Sequence, residues 1–218
     1  MSYTSFDFSK IDSTLAYYHL LAVIAPRPIA WVSTRSETGV NNLAPFSFFN
    51  AFSADPPVVG FAPATKDDGS HKDTYINIRD TKECVINMVS YDLANKMNIS
   101  AKDTIDEFQA AGLTPLSSAL VSAPRVAEAP VQIEARLLEI INFRRDSKGL
   151  TKLIYSGQDA SGLAGTGNLI ICELLCMHLR EDLIHNGRID TVALDLVGRN
   201  GGDYYTRANS DSMFRLAR

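Results

Sequence analysis

Two short stretches of the chain combine residue types that could hold a charged, flat ligand. The first is KDTYINI, residues 72–78. Asp73 or Thr74 is expected to cap a helix here, whose free first-turn N–H groups and dipole favour an anion, with the Lys72 ammonium just outside. Phosphate is the anion this suits. The Asp73 carboxylate would repel it, so Asp73 could contribute only through its backbone N–H or as the cap. Taken alone, these residues fit a plain capped helix with a surface lysine more simply. The second stretch is NNLAPFSFFNAFSADPP, residues 41–57, where Phe46, Phe48, Phe49 and Phe52 crowd together with Ser47, Asn50 and Ser53. Pro45 removes one backbone donor from the run. A heteroaromatic ligand needs this mixture, apolar surface for its rings and hydroxyl or backbone groups at its polar rim. An aromatic core strand would use the same composition equally well.

Other chemistry is hard to assemble. The chain has no G-x-S-x-G elbow, no H-E-x-x-H and no phosphate-binding loop ending in Lys-Ser/Thr. Gly162, Gly165 and Gly167 suggest a dinucleotide fingerprint, but position 170 is Ile and a strand pattern follows where a helix should open. Cys172, Cys176 and His178 are expected on one face of a strand, together with Leu174. Without C-x-x-C spacing nearby, buried thiols packing a core are favoured over a metal site, and no metal is assigned. Nothing in the sequence pairs Glu173 or His185, and the polar run 66–72 suits a solvated loop.

The elements that would position these residues are mostly strands. Asp12 or Ser13 can cap a short helix carrying Leu15, Tyr18 and Leu21. A strand-like stretch follows from Ala22 to Thr34, broken by Pro26 and Pro28 into an edge or bulge. Val58 to Ala62 and Val85 to Val89 read as short strands. The longest signal is Val131 to Phe143, with Val131, Ile133, Ala135, Leu137, Ile141 and Phe143 on one face and Gln132, Glu134, Arg136 and Asn142 on the other. Leu153 to Ser156, Leu169 to Leu179 and Thr191 to Val197 continue the strand pattern, while Leu93 to Ala101 and Thr104 to Ala111 suit surface helices. Successive strands with few helical crossovers favour an antiparallel barrel or sandwich, mainly β with added helices.

Composition bounds the partners. With 218 residues, 45% of them hydrophobic, the chain can bury a sizeable core as one domain over 1–218. Its 21 Lys and Arg against 25 Asp and Glu leave a formal charge of −4, without the basic excess that nucleic-acid binding requires. No apolar run has membrane-spanning length. The start MSYTSFDFSK lacks a secretory pattern, and three scattered cysteines form no disulfide framework, so a cytoplasmic protein is expected.

In order along the chain, APRPIAWVST (25–34), Gly39, NNLAPFSFFNAFSADPP (41–57), KDTYINI (72–78), Asn87, EFQAAGLTP (107–115) and GRNGGDYYT (198–206) resemble the flavin reductase-like family of FMN-binding split-barrel proteins, especially its flavoredoxin-like branch. The resemblance implies a six-stranded antiparallel Greek-key split β-barrel with peripheral helices, forming a homodimer with noncovalent FMN at or near the subunit interface. It implies that Asn42, Leu43, Ala44, Pro45, Phe46 and Ser47 line the isoalloxazine and that Ser53 helps hold the ring or ribityl side. Lys72, Asp73, Thr74 and Asn77 would surround the phosphate. Gly201 to Tyr205 would pack near the dimer and reach toward the partner's flavin, although Asn200 stands where leucine is more usual. The activity implied is reduction of flavin N5 by NADH or NADPH, with electrons passed to an acceptor protein or a monooxygenase component. A flavoredoxin-like electron carrier without nicotinamide oxidation is the alternative. No side chain is assigned a catalytic proton transfer.

Overall fold

A computed structural model describes residues 1–102, 106–159 and 164–216. Asp12 accepts the N–H of Leu15 and caps helix α1, Ser13–Val23. The helix runs through Ala22 and Val23, where a strand was expected, and only Arg27–Pro28 and Ala30–Arg35 of that stretch are extended. Pro28 explains the interruption, since it cannot donate to a ladder.

The main sheet contains β1 (Ala30–Arg35), β2 (Asn41–Phe46), β3 (Phe49–Ala54), β4 (Pro57–Phe61), β5 (Glu83–Asn87), β6 (Val131–Arg145), β7 (Thr151–Tyr155) and β8 (Ala164–Leu179). Its order is β2-β1-β5-β6-β8-β4-β3, with β7 folded back on the end of β6, and every pairing is antiparallel. The mainly β antiparallel class is as expected, but the strand count is eight rather than six. Residues 41–54 split at Ser47-Phe48 into β2 and β3, which lie at opposite ends of this order, and β7 adds a further short strand.

Strand β1 is covered on both faces, which is why IAWV reads as an unbroken apolar run. Ala30, Val32 and Phe46 join Phe61, Ile78, Ile86, Ala135, Ile140 and Ile170 in one core. Ile29, Trp31 and Leu43 join Met97, Phe108 and Val126 in a second. Helices α3 (Ala94–Ile99) and α4 (Glu107–Ala110) build that second core, so the segments expected as surface helices contribute the buried Met97 and Phe108. The expected start of the second, at Thr104, lies outside the described residues. Trp31 donates its indole N–H to Ser100 Oγ at 2.9 Å, fixing α3 against the sheet.

Two bulges overturn the face assignments along the long strands. On β6, Leu138 is extra between the pairs Glu139↔Ile171 and Leu137↔Cys172. One added residue reverses the alternation, so Ile140, Asn142 and Arg144 point inward and Phe143 is exposed. On β8, Leu175 is extra between Leu174↔Ala135 and Cys176↔Glu134. Cys172 therefore sits in the core, while Cys176 and His178 turn to the opposite face.

Residues 191–194 form a turn, with the Asp190 carboxylate accepting the N–H groups of Val192 and Ala193, and of the expected 191–197 strand Leu196 makes an isolated antiparallel bridge with Ser90 and Val197 opens a strand. Strands β9 (Val197–Arg199) and β10 (Tyr205–Arg207) pair with each other and β9 also pairs with Arg27–Pro28. Among the described residues no helix is long and apolar enough to cross a membrane.

Candidate functional site

Strand β2 lies at the end of the sheet order, paired among the described strands with β1 alone, so the backbone groups of its other edge belong to no ladder. The Leu43 N–H on that edge donates to Glu107 Oε2 at 3.3 Å. Pro45 has the same parity, which puts its missing donor on the free edge, where proline costs no ladder bond. Leu43 buries its side chain in the second core and has only its backbone to offer. Ala44, Pro45, Phe46 and Ser47 line a recess of about 210 Å³ with Tyr17, Phe48, Ala62, Ala64, Ala101 and Lys72. Four alanines leave the room, and Phe46, Phe48 and Tyr17 supply ring surface.

Lys72 closes one end of this recess. It occupies the N-cap of α2, Asp73–Thr81, a position where a lysine side chain cannot accept a hydrogen bond. The expected cap by Asp73 or Thr74 is therefore not formed: Asp73 is the first helical residue and its carboxylate lies 3.7 Å from Lys66. Neither the Asp73 nor the Thr74 N–H has an acceptor among the described residues, and no carboxylate lies within 4.0 Å of the Lys72 ammonium. Thr65 Oγ1 and His71 Nδ1, in the loop between β4 and α2, are shielded from solvent without a partner. His71 stacks on Tyr75 at 3.8 Å and 4°. Burial, aided by Arg144 and Arg79, holds its imidazole below the usual histidine range. Open N–H groups, a free ammonium and orphaned polar atoms in one short stretch fit a phosphate group.

Asn42, expected at the isoalloxazine, and Thr74 and Asn77, expected at the phosphate, are joined by one hydrogen-bond network through Thr34, which was not among the expected site residues. Asn42 Nδ2 donates to Thr74 Oγ1 at 2.9 Å and to Thr34 Oγ1 at 3.3 Å, and Asn77 Nδ2 donates to Thr34 Oγ1 at 3.0 Å. Thr74 Oγ1 thus accepts from Asn42, and its own proton is not taken up by that bond. Asn77 is tied to Thr34 and buried, which makes it a support for the hydroxyls. Ser53 is not brought to the recess by its own chain: it lies exposed on β3 across from Val58, beside a bulge.

Three further groups had no recognised signal. Glu107 stands in the quoted 107–115 string, and burial pushes its carboxyl above the usual range, with Asp106 and Asp73 adding to the effect. Arg27 is buried and donates to the carbonyls of Leu21, Ile24 and Asn200. Arg144, buried by the β6 bulge, donates to Gly167 O at 2.7 Å and Asn168 Oδ1 at 2.9 Å, without a carboxylate partner within 4.0 Å among the described residues. Asn168 in turn donates to Pro63 O at 2.8 Å, so Arg144 braces the loop that leads to Lys72.

Cys176, His178 and Glu134 bring a thiol, an imidazole and a carboxylate within 4.8 Å of one another. The Glu134 carboxylate already accepts the N–H groups of Ala119, Leu120 and Val121 and a 2.6 Å bond with His178 Nε2. Its lone pairs are used in pinning the 119–121 loop, which accounts for the cluster without an ion. Gly162 of the glycine cluster lies outside the described residues, and Gly165 and Gly167 stand at the start of β8, not at a helix opening.

The sequence profile of the flavin reductase like domain matches residues 24–193. A protein of Deinococcus radiodurans is 39% identical over 212 residues, covering 93% of this chain and 84% of its own. Among solved structures, nitrilotriacetate monooxygenase component B from Bacillus cereus superposes with a TM-score of 0.84 at 27% identity, covering 99% of this chain and all of its own. The 2-nitrobenzoate 2-nitroreductase of Pseudomonas fluorescens superposes with a TM-score of 0.82 at 28% identity, covering 99% and 96%.

Proposed function

Because the chain belongs to the flavin reductase-like family, we propose that it is an FMN-binding oxidoreductase, a single domain over 1–218 that reduces flavin with NADH or NADPH. The observation that carries this reading is the uncapped N-terminus of α2 at the end of an aromatic and alanine-lined recess. Phe46, Ala44, Pro45 and Ser47 would hold the isoalloxazine, with carbonyls of the free β2 edge at its polar rim. Lys72, the Thr74 hydroxyl and the N–H groups of Asp73 and Thr74 would hold the phosphate, and Asn42, Thr34 and Asn77 orient that hydroxyl. Phe48 and Tyr17 would shield the ring from water. When bound there, FMN would supply two-electron chemistry between a reduced nicotinamide and an acceptor, while these residues position it.

The reading extends to a cytoplasmic homodimer. Leu20, Ile24, Pro26, Phe48, Phe52 and Leu169 line an apolar cleft of about 420 Å³ beside the recess, with Phe52 63% exposed. A second copy covering it would also give Ser53, on the same strand, a place near a flavin. The similarity to a monooxygenase component B supports an electron-accepting partner of that kind. The test is to add NADH or NADPH anaerobically to the FMN-loaded protein and follow the flavin absorbance. Bleaching is expected; a yellow protein that never bleaches overturns the nicotinamide step and leaves an electron carrier.

A further inference from the structure

The recess does not end at Ser47. Tyr17, Pro45, Ser47 and Ala101 also line a second compartment of about 300 Å³, which reaches Asn98, Arg199 and Tyr205. Those last three continue into a third of about 320 Å³, walled by Tyr91, Asn95 and Arg207. These adjoining compartments, with walls in common, form a row, here called the groove, from Lys72, past the strand proposed to hold the isoalloxazine, to the β9–β10 hairpin. The GRNGGDYYT string that forms this hairpin has no part in the site as described above.

The far end of the groove carries an arginine that its one neighbouring carboxylate matches only loosely. Among the described residues the Arg199 guanidinium donates to neutral oxygens, the Tyr205 hydroxyl and the Gly202 carbonyl, and lies 4.6 Å from the Tyr205 ring centroid. Its nearest carboxylate, Asp203, is 3.9 Å away and fully exposed, where solvent screens it. Behind it Arg27, which donates to three carbonyls and, at 3.5 Å, to Ser47 Oγ, has no carboxylate within 4.0 Å among the described residues. Burial, and after it the charge of Arg199, lowers the Arg27 pKa, so the two guanidiniums repel and an anion between them and solvent would relieve both. Arg207 differs: Asp195 holds it through two 2.6 Å bonds, and it serves as a wall over Tyr91 at 4.0 Å. The side-chain amides of Asn95 and Asn98 are exposed, with no hydrogen bond to other described residues, and offer further donors.

We infer that Arg199 binds a carboxylate or phosphate group of the molecule that exchanges electrons with the flavin, whose reacting part extends along the groove toward Pro45 and Ser47. This rests on the FMN reading above. A planar fork and a tyrosine face suit a flat anion. The two sources of such an anion are an aromatic acid acceptor and the phosphate of a nucleotide donor.

The experiment is calorimetric titration of the FMN-loaded protein with benzoate, benzamide, AMP and adenosine, in wild type, Arg199→Gln and Arg199→Lys. An anionic probe is expected to bind about tenfold more tightly than its neutral analogue, and Arg199→Gln to remove that preference with FMN affinity unchanged. Arg199→Lys should keep part of it, and should Arg199→Gln not fold, the Lys variant and weakening of wild-type binding by added salt decide. Benzoate binding alone assigns the site to an acid acceptor, and AMP binding alone to the donor's phosphate; both binding supports the shared anion chemistry. An FMN-loaded wild type that prefers neither anion, or an Arg199→Gln protein that still does, overturns the inference while the FMN reading stands. A wild type that takes up no FMN overturns both.

Discussion

Replacing Lys72 tests the phosphate assignment, because the discrimination it controls is between FMN and riboflavin, which differ only in the phosphate. Lys72 has no carboxylate within 4.0 Å among the described residues, so Lys72→Ala leaves no buried charge behind and should not disturb the fold. A charge-assisted contact at a partly exposed position is worth about 1.5 kcal/mol, or roughly tenfold in the FMN Kd. Adding Thr74→Ala removes a neutral hydroxyl contact worth about 1 kcal/mol, bringing the loss to roughly 60-fold. The N–H groups of Asp73 and Thr74 remain at the helix end and should preserve residual binding. Thr74 is only 1% exposed and accepts from Asn42, so the double variant should also lose about 1 kcal/mol of stability, while Asn42 keeps Thr34 as a partner. Thr74→Ser retains the hydroxyl and serves as the control. Quenching of flavin fluorescence gives both dissociation constants, with riboflavin expected to change by less than about twofold. Equal losses for FMN and riboflavin, or no loss for either, would refute the placement of the phosphate at Lys72.

Glu134→Gln should destabilise the fold by about 2 kcal/mol in denaturant titration, since an amide would turn an N–H toward backbone donors. Burial raises the Glu134 pKa, but the Ala119 amide, His178 and the Leu120 amide outweigh it and bring the carboxyl below 4.5. Its stabilisation is therefore present above pH 4.5 and lost as pH falls through the depressed value, so the gap between variant and wild type should close in acid. Glu107 has the opposite sign: its raised folded value makes its contribution complete below pH 4.5 and lost as pH rises through that value. Glu107→Gln should raise Tm more at about pH 8 than at about pH 4, and a gain confined to acid would contradict the assignment. Gly165 has φ +138° and a Cβ there would lie 2.7 Å from the Phe143 carbonyl oxygen, so Gly165→Ala should cost about 1–3 kcal/mol in a thermal or denaturant melt.

The expected residues that line the recess come from two contiguous strings, and the structure places Ala44 to Ser47 beside Lys72. Read alone, 41–57 suits an aromatic core strand equally well and 72–78 a plain capped helix, so only the order of the strings along the chain singled them out. What the sequence hid depends on long-range pairing. A single extra residue at Leu138 buries Arg144 and exposes Phe143, and another at Leu175 separates Cys176 from Cys172, because alternation carries no marker for a bulge. Thr34 and Asn77 are 43 positions apart and meet only when α2 lands on β1. The cap failed for a local reason. Asp and Thr after a lysine fit a capping pattern, yet the helix begins one residue earlier and leaves lysine at the cap.

The claim on which the account rests is that this chain holds FMN. Titrating the purified, flavin-free protein with FMN while recording flavin fluorescence and absorbance tests it most directly. Saturable quenching at one FMN per chain and a yellow species that survives gel filtration are expected. Fluorescence that rises linearly with added FMN, without a break and with no flavin eluting with the protein, would contradict it.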